Sequence, residues 1–486
     1  MSDHSVKVEK LQNAIKKMSE QKTSPIALHY GKGHSNTTRT KEYKKHCSSI
    51  DFGQLNEIIH IDCDKRIAIV EPRVTMKMLL QACLPHHLAP PVLPEFKGIT
   101  VGGAILGGAA ESGSHKWGCF NDICLSYEIL SGKGDVLKIT PYEKEELYYG
   151  IAGSYGSLGA LVSTEVQLIS VPEHVYLTYH FSKPLDAIEK LKNLYHSSQS
   201  PPFLDGIIFS KEIAVIIEGH TQKNEEHSEI PIFCNSPLSP WFYQHLKQLA
   251  SQSQNHSYQE KMKVADYFFR YDLGAFWMGT FLFQPLFLSR FITEGLLGFN
   301  QKRENFTEND IQRLHQIKDP NILARTLFHS FMGSQNLWSL LHRAEKWIQN
   351  RIIIQDCCIP ESNAKNFCEE IMNSPAIFPI WLCPIKGMRT PQIFSPHLMT
   401  QNQNDKFFIN LGLYGIPSQA HSIKEITKTL EKRVGFYGGR KVLYSHSYYT
   451  KNEFWQIYPH KNYENLRKMT DAKGVWRDIT DKVLSI

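Results

Sequence analysis

Residues 98–118, GITVGGAILGGAAESGSHKWG, contain seven of the thirty glycines in the chain. Glycine costs roughly 0.5–1 kcal/mol of conformational entropy per position in regular structure, so this density indicates that something approaches the backbone closely. A membrane span, a tightly packed helix and a cradle for phosphates all use small residues. A spanning helix needs about 20 apolar residues, and the apolar run from Val101 to Ala110 is only half as long, which excludes the first use.

A second segment of glycine and hydroxyl residues, GKGHSNTT, occupies residues 31–38. The GxGxxG fingerprint is absent because Asn36 stands where the third glycine would be, and the GxxxxGKS/T motif is absent too. A Rossmann or P-loop nucleotide site is therefore not expected. Successive backbone amides in such loops form anion-binding nests, and two of these loops could clamp a pyrophosphate from opposite sides.

Acidic groups near apolar sequence are the candidate proton donors. Asp356 lies in the apolar strand IIIQDCCIP, where burial would raise its pKa and make it a usable acid. A strand register that points it to solvent is the alternative. Glu95 follows PPVLP directly before the glycine-rich segment, and Tyr444 and Tyr448 precede NEFW. These three are further candidates for the active site.

The predicted order of helices and strands that must position these residues changes near Pro172. Before it, the sequence predicts short hairpins and helices, with Thr75 capping a helix over TMKMLLQACL. From Val175, and again from Arg351, the order strand, helix, strand, strand recurs. This repetition predicts two matched halves of one antiparallel sheet with helices on one face.

Residues 276–299, FWMGTFLFQPLFLSRFITEGLLGF, contain only one Arg and one Glu in 24 positions. A buried helix broken at Pro285 is one interpretation. The other is a lipid-facing or substrate-tunnel element of a protein that contacts a membrane surface.

Composition and charge exclude several classes of protein. The net charge of +6 is spread along the chain without a basic patch, so we expect no nucleic-acid partner. The amino terminus lacks the apolar region of a signal peptide, which predicts a cytoplasmic protein, peripheral to a membrane if it contacts one. Ten cysteines without a CxxC pair predict reduced thiols, with no disulfide and no metal site.

The segments GKGHS, TVGGA, SGSH and GSLGALVSTEVQL, in this order, resemble the PCMH-type FAD-binding domain of the vanillyl-alcohol-oxidase-like flavoproteins. The segments VEPRVTM, PVLPEFKGITVGG, ESGSHKWG, QDCCIP, PIWLCP and EFWQIY resemble the Delta24-sterol reductases within that group. The resemblance implies an α+β protein with a two-part FAD-binding domain and a cap domain built on an antiparallel sheet. It places the FAD-binding domain at 1–172, the cap at 173–435 and a completing C-terminal segment at 436–486.

The resemblance also implies the cofactor site. It places Gly33, His34, Ser35, Thr100, Val101, Gly102, Gly103 and Gly107 at the pyrophosphate, Ser114, His115 and Gly118 along the flavin, and Val166 near the adenine. A loop histidine donating to a backbone carbonyl is the alternative for His115. Some relatives bond the flavin through a histidine at the position of His34, but a reductase gains little from that bond, so we expect non-covalent FAD.

The implied activity is reduction of a carbon–carbon double bond in a sterol side chain, with NADPH as reductant. We expect Asp356 as the first candidate for the acid, followed by Tyr448 and Glu95. An FAD-linked oxidase or dehydrogenase of a polyol or sugar alcohol is the alternative, and a non-catalytic lipid-binding protein that retains the fold is the second alternative. The expected partners are a sterol or other apolar lipid and, through residues 276–299, a membrane surface.

Overall fold

The computed structural model describes residues 3–21, 25–29, 37–39, 44–222, 230–252, 257–299, 306–315, 319–388, 393–399, 405–420 and 422–485. The first part contains α1 Asp3–Glu20, β1 Ile26–His29, β2 Ser48–Asp51, β3 Ile58–Asp62, β4 Ile67–Val70, α2 Met76–Cys83, β5 Leu88–Ala89, α3 Val101–Gly107, α4 Ser114–Trp117, β6 Cys124–Leu130, β7 Val136–Ile139, α5 Glu145–Ile151, β8 Ala160–Gln167 and β9 Ile169–Ser170.

The middle part contains β10 His174–Ser182, α6 Pro184–His196, β11 Phe203–Ile208, β12 Ala214–His220, α7 Phe242–Gln252, β13 Tyr258–Lys263, α8 Val264–Phe268, α9 Pro285–Arg290, α10 Glu308–His315, α11 Ile322–Phe328, α12 Ser334–Arg343, α13 Glu345–Gln349, β14 Ile353–Pro360, α14 Ala364–Asn373, β15 Ile380–Lys386, β16 Phe407–Gly415 and α15 Ile423–Phe436. The last part contains β17 Arg440–Lys441, α16 Lys451–Ile457, α17 His460–Met469 and α18 Ile479–Val483.

A five-stranded antiparallel sheet, in the order β3-β4-β8-β6-β7, is the framework of the first part. Helix α1 buries Val8, Leu11 and Ile15, which recur on one helical face. Trp476, from the other end of the chain, lies in the same apolar cluster and bridges to Ile26 of β1. The C-terminal segment therefore packs into the first part, as expected for a two-part domain.

The middle part is built on an eight-stranded antiparallel sheet in the order β13-β10-β12-β11-β15-β16-β14-β17. Its two halves meet at β11 and β15, and the order β10-β12-β11 is mirrored by β15-β16-β14. Helices α6, α14 and α15 cover one face through a shared apolar cluster. The predicted matched halves and the α+β class are confirmed.

Strand β16 shows how this sheet serves two surfaces. Ile409, Leu411 and Leu413 pack under the helices, whereas Asn410 and Tyr414 face the opposite side. Because side chains alternate along a strand, one sequence of nine residues supplies both the core and a polar surface. That second surface forms part of the candidate site.

One predicted domain boundary falls between elements, and the other falls inside a helix. The 172/173 boundary lies between β9 and β10, and the 435/436 boundary lies just before the last residue of α15, the element that precedes β17. Strand β17 still pairs with β14 at the edge of the large sheet. The division of the chain at these positions stays a prediction.

Residues 276–299 form several short helices in place of a single one. A 3-10 helix over Met278–Phe283 is followed at Pro285 by α9 and then by a π-helix over Phe291–Leu296. Phe287 is buried on the inner side, whereas Leu297 is exposed on the outer side. The break at Pro285 is confirmed, but only the inner face is core. Among the helices that the structure describes, none has the length and hydropathy to cross a bilayer.

Candidate active site

A cleft of about 540 Å³ lies between α3 and the helix-free face of the eight-stranded sheet. The glycine wall consists of Thr100, Gly102, Gly103, Gly107, Gly108 and Ala110. The polar wall consists of Asp356, Trp381, Asn410, Tyr414 and Tyr444. An apolar arm consists of Met278, Leu282, Phe287, Leu337, Trp338 and Leu341. The cleft thus combines close access to backbone, hydrogen-bonding groups and a hydrophobic extension.

The glycine wall is open because two of its glycines face free space. A Cβ on Gly107 would meet no atom closer than 3.9 Å, and a Cβ on Gly103 would meet only the Thr100 hydroxyl at 3.1 Å. That hydroxyl caps α3 by accepting the Gly103 amide. Gly102 is different, since its Cβ would lie 2.8 Å from Cβ of Pro72. Gly103 and Gly107 therefore leave room in the cleft, whereas Gly102 serves packing.

Asp356 accepts three hydrogen bonds on the polar wall. Tyr414 Oη and Asn410 Nδ2 donate to Oδ1, each at 2.7 Å, and Tyr444 Oη donates to Oδ2 at 2.7 Å. The sheet register creates this arrangement, because Asp356 on β14 lies opposite Gly412 on β16. Gly412 has no side chain to fill the space through which the Tyr414 hydroxyl reaches the carboxylate.

The register also decides which way Asp356 points. Its carboxyl faces the cleft, and not solvent. Burial raises the pKa of Asp356, and hydrogen bonds from Tyr444, Asn410 and Tyr414 oppose that rise. Three donors favour the charged carboxylate over the neutral acid. Asp356 is thus arranged to orient hydroxyl groups.

Glu95 lies in the same cleft and is 9% exposed. Burial first, and then repulsion from the Glu111 carboxylate, raise the pKa of Glu95 to about 8. Among the hydrogen bonds of the described residues, none joins another side chain to the Glu95 carboxyl. Its neutral form therefore dominates at pH 7 and carries a proton that can be donated.

Behind Glu95 lies a buried cluster around Arg270. Arg270 Nη2 lies 2.9 Å from Glu111 Oε1 and 2.9 Å from Asp205 Oδ2. The guanidinium also stands over the Tyr267 ring, 4.4 Å from its centroid, and over the Tyr271 ring at 4.6 Å. Two carboxyl groups share one cation here, so the surroundings of Glu95 carry excess negative charge and favour its neutral form.

The predicted cofactor residues divide into those at the cleft and those away from it. Thr100, Gly102, Gly103 and Gly107 line the cleft, with Val101 buried beneath them. Away from the described lining lie Ser114, His115, Gly118 and Val166. Gly33, His34 and Ser35 lie outside the residues that the structure describes. The cofactor contacts of all these residues stay predictions.

His115 is buried between two backbone carbonyls. Its Nδ1 lies 3.0 Å from the Ser112 oxygen, and its Nε2 lies 2.8 Å from the Pro201 oxygen. Burial lowers the pKa of His115 to about 4, so the ring is neutral and donates through one nitrogen. This matches the alternative in which His115 shapes the loop.

Tyr448 lies outside the described lining of the cleft. Its ring stacks on His446 with a centroid distance of 6.2 Å, and Lys424 Nζ lies 5.6 Å from the ring centroid. Tyr444, four residues earlier, is the tyrosine that reaches the polar wall. Tyr444 and Tyr448 lie on either side of one bend. Only the folded chain therefore shows which of the two tyrosines lines the cleft.

Cys119, Asp122 and His397 form a buried triad near the glycine wall. The Cys119 sulfur lies 3.4 Å from Nδ1 of His397, and Asp122 Oδ2 lies 2.9 Å from its Nε2. Although burial alone would lower it, the neighbouring Cys119 and Asp122 raise the pKa of His397 to about 10. The two partners use opposite ring nitrogens, so the His397 ring joins residues 393–399 to the first part of the chain through a hydrogen-bonded ion pair.

Sequence reasoning missed Asn410, Tyr414 and Trp381 on the polar wall. Polar residues in the apolar strand FFINLGLYG were the available signal for the first two, the same signal that identified Asp356. It also missed Arg39 and Lys482 at the cleft. Arg39 directly follows the segment GKGHSNTT, which was the available signal for it, whereas Lys482 comes near Arg39 only in the folded chain.

The cleft fits FAD in two respects. The open positions at Gly103 and Gly107 admit a ligand against backbone, and the cationic side chains Arg39, Lys44 and Lys482 lie in the same cleft. A dinucleotide needs both close backbone approach and charge compensation for its phosphates.

Known proteins agree with this fit. The FAD binding domain family matches residues 6–140. Delta(24)-sterol reductase of Homo sapiens is 26% identical over 487 residues, which cover 99% of this chain and 86% of that protein. Delta(24)-sterol reductase of Arabidopsis thaliana is 26% identical over 471 residues, or 91% and 77% of the two chains. Decaprenylphosphoryl-beta-D-ribose oxidase of Mycolicibacterium smegmatis is 33% identical over 120 residues, or 24% and 26%.

The fold and these similarities agree along the chain. The match to the FAD binding domain ends at residue 140, inside the first part, and the similarity to the reductases continues through the large sheet. The chain is an FAD-dependent oxidoreductase that contains a match to the FAD binding domain family and is similar to Delta(24)-sterol reductases over nearly its whole length.

Proposed function

We propose that this protein reduces a carbon–carbon double bond in a sterol side chain and that NADPH reduces its FAD. The similarity to Delta(24)-sterol reductases over 99% of the chain supports the reaction class. The observation that carries the proposal is Glu95, a buried carboxyl with a raised pKa in the same cleft as an apolar arm. Reduction of an unactivated alkene needs a proton donor, and binding of a sterol side chain needs an apolar surface.

The apolar arm supports an apolar substrate. Its six lining side chains are all hydrophobic, and Phe281 and Phe291 extend the aromatic packing around Phe287. Removal of apolar surface from water contributes about 25 cal/mol per Å², so a sterol gains affinity in such an arm. A polyol would leave its hydroxyl groups there without partners, which disfavours the alternative oxidase.

The chemistry requires a proton from the chain. An isolated trisubstituted alkene has no electron-withdrawing group, so hydride addition before protonation would leave an unstabilised carbanion. Protonation of the less substituted carbon must come first or in concert, and positive charge develops on the other carbon. Bound FAD supplies hydride chemistry. The Trp381 and Tyr414 rings offer aromatic faces to the developing cation.

We assign the proton to Glu95 and a positioning role to Asp356. This reverses the order expected from the sequence, because three donors already bond to the Asp356 oxygens and favour its charged form. Glu95 has a raised pKa and no such donors. Tyr448 takes no part in the proposal, since its ring packs beside His446 and Lys424.

For the cofactor, we propose non-covalent FAD with Gly103 and Gly107 against it. The reaction that we propose passes hydride onward and does not need the higher potential that a covalent bond to His34 would bring. Acid precipitation tests the attachment. Free yellow FAD in the supernatant is the expected result, and colour that stays on the denatured protein contradicts it.

We propose that the outer face of residues 276–299 contacts lipid. Leu297 and Phe299 on this face are 61% and 63% exposed. Helix α11 adds Leu323 and Leu327, which are 65% and 71% exposed, and its Phe328 ring packs on Phe283 at 5.9 Å. Since the inner side of the same segment lines the apolar arm, a lipid-borne substrate would have a short path into the cleft.

Anaerobic mixing tests the whole proposal. NADPH should bleach the flavin, and a Delta24 sterol should restore its colour with formation of the saturated side chain. In deuterated water, deuterium from the acid should appear at the less substituted carbon. A flavin that a polyol reduces, with no sterol consumed, would identify the alternative oxidase. A flavin that no nicotinamide or substrate reduces would identify the non-catalytic lipid-binding protein.

A further inference from the structure

Three cationic side chains, Arg39, Lys44 and Lys482, line one region of the cleft. Lys482 lies on α18 and is buried, and its Nζ donates to the carbonyl oxygens of Tyr155 at 3.0 Å and Gly156 at 2.9 Å. The Arg39 guanidinium stands 4.2 Å from the centroid of the Tyr155 ring and donates to the Lys482 carbonyl at 2.8 Å. We call these three residues the cationic cluster.

Arg39 and Lys482 have no matching carboxylate among the residues that the structure describes. Their hydrogen-bond acceptors are carbonyls and the Thr37 hydroxyl. Burial, and then repulsion from Arg39 and Lys44, lower the pKa of Lys482 to about 7. Buried charge is costly unless it is paired, so an anion beside the buried Lys482 ammonium would stabilise it.

Lys482 has the capacity to bind that anion. An ammonium group carries three N–H donors, and the two carbonyls of Tyr155 and Gly156 use two of them. The carbonyl bonds fix the position of Nζ, so the third donor is available at low entropic cost. Arg39 is also fixed, by its stacking on Tyr155.

Tyr155 connects the cationic cluster to the glycine wall. Its backbone amide donates to the Leu106 oxygen at 3.2 Å, and its ring is the atom group closest to Gly107, at 3.9 Å from a Cβ built there. An anion beside Arg39 and Lys482 therefore also lies near the open backbone of α3. Close backbone approach and convergent cations together are the chemistry that selects phosphate groups.

We infer that Arg39, Lys44 and Lys482 bind the diphosphate of FAD and neutralise its charge within the cleft. This inference rests on FAD binding by the family and is independent of the proposed sterol substrate. It assigns part of the cofactor site to residues at opposite ends of the chain, 443 positions apart in the case of Arg39 and Lys482. No glycine-rich motif includes any of the three.

Binding of three ligands separates the diphosphate from the rest of the cofactor. After reversible removal of flavin, dissociation constants are measured for FAD, for ADP, which has the diphosphate without the flavin, and for riboflavin, which has the flavin without phosphate. Lys482→Met should weaken FAD and ADP binding by about 10- to 100-fold, the usual effect of one charged hydrogen bond, and leave riboflavin binding unchanged. Arg39→Met should act in the same direction.

Two further variants serve as controls. Lys482→Arg keeps the charge and should restore FAD affinity to within several-fold of the natural protein. Lys461→Met removes an exposed lysine on α17 and should change no affinity. If Lys482→Met does not fold, Arg39→Met and Lys482→Arg still test the cluster, because Arg39 lies outside every helix and strand.

Two results would overturn the inference. Loss of riboflavin affinity with unchanged ADP affinity would place the cluster at the flavin ring. Unchanged FAD and ADP affinity with a weaker dependence of flavin reduction on NADPH would place it at the phosphates of the reductant. Because none of these measurements uses a sterol, failure of the sterol proposal would not alter their outcome.

Discussion

The Tyr444 hydroxyl lies 2.7 Å from Oδ2 of Asp356 and joins the C-terminal segment to β14 at the polar wall. The Tyr444 carbonyl in turn accepts a hydrogen bond from the Thr37 hydroxyl. Residues from three distant parts of the chain thus meet at one tyrosine. This relationship makes Tyr444 a sensitive point for the geometry of the site.

Tyr444→Phe should lower sterol turnover by about tenfold while flavin content stays normal. The change removes one of three hydrogen bonds to a buried carboxylate. The lost bond contributes roughly 1–2 kcal/mol to the free energy that holds the polar wall in its orientation. Steady-state kinetics with flavin content as the control measure the effect. Tyr142→Phe, at a fully exposed tyrosine, should change neither value. Loss of flavin from Tyr444→Phe would instead assign Tyr444 to cofactor binding.

Glu95→Gln should reduce sterol turnover by about 10²–10⁴-fold, the usual contribution of a general acid. Flavin reduction by NADPH should remain nearly unchanged, because that half-reaction needs no proton from Glu95. Stopped-flow absorbance separates the two half-reactions. Glu143→Gln, at an exposed carboxyl, is the matched control.

The pH dependence of turnover provides a second test of Glu95. The protonated acid is the active form, and its pKa lies near 8, so turnover should fall as pH rises through about 8. Asp356→Asn should lower turnover because the polar wall loses its orientation. The fall in turnover as pH rises through about 8 should remain. If the fall in turnover near pH 8 disappeared in Asp356→Asn and remained in Glu95→Gln, Asp356 would be the proton donor.

Gly103→Val and Gly102→Val should fail in different ways. At Gly103 the valine would project into the cleft, so flavin content should fall at least tenfold with little change in the unfolding temperature of the flavin-free protein. At Gly102 it would press on Pro72 and should cost about 1–3 kcal/mol of stability by overpacking. Absorbance at the flavin band and thermal unfolding measure the two effects. A fully yellow Gly103→Val protein would remove this glycine from the cofactor site.

Charged residues at Leu297 and Phe299 should abolish binding to vesicles of phosphatidylcholine and phosphatidylserine. Both side chains are mostly exposed, so the Leu297→Asp, Phe299→Asp double variant should keep its unfolding temperature. Phe287→Asp, on the buried side of the same segment, should unfold the protein instead. Vesicle flotation is the measurement. Undiminished flotation of the double variant would show that another surface contacts lipid.

The His397 ion pair should make stability depend on pH in a defined direction. Its folded-state pKa of about 10 lies above the unfolded value of 6.5, so its contribution is complete below about pH 6.5 and is lost as pH rises through about 10. The difference in unfolding temperature between the natural protein and His397→Gln should therefore shrink from pH 6 to pH 10. His60→Gln, at an exposed histidine, should show no such trend. A constant difference for His397→Gln would contradict the ion pair.

Local patterns in the sequence were sufficient for the order of elements and for part of the site. The repeated strand, helix, strand, strand order predicted the two halves of the large sheet, since periodicity reports which faces are buried. The same reasoning identified Asp356, because a single acid in an apolar strand is conspicuous. The density of glycine in residues 98–118 indicated close approach to the backbone.

The tertiary structure decided where each of these residues lies and what it contacts. Gly102 and Gly103 are adjacent in sequence, yet one packs on Pro72 and the other faces the cleft. The pKa of Glu95 depends on burial and on Glu111, and the three donors to Asp356 come from β16 and the C-terminal segment. Electrostatic and packing energies depend on distances between elements that are far apart in the chain, so only the folded arrangement distinguishes the buried Glu95 carboxyl from the hydrogen-bonded Asp356 carboxyl.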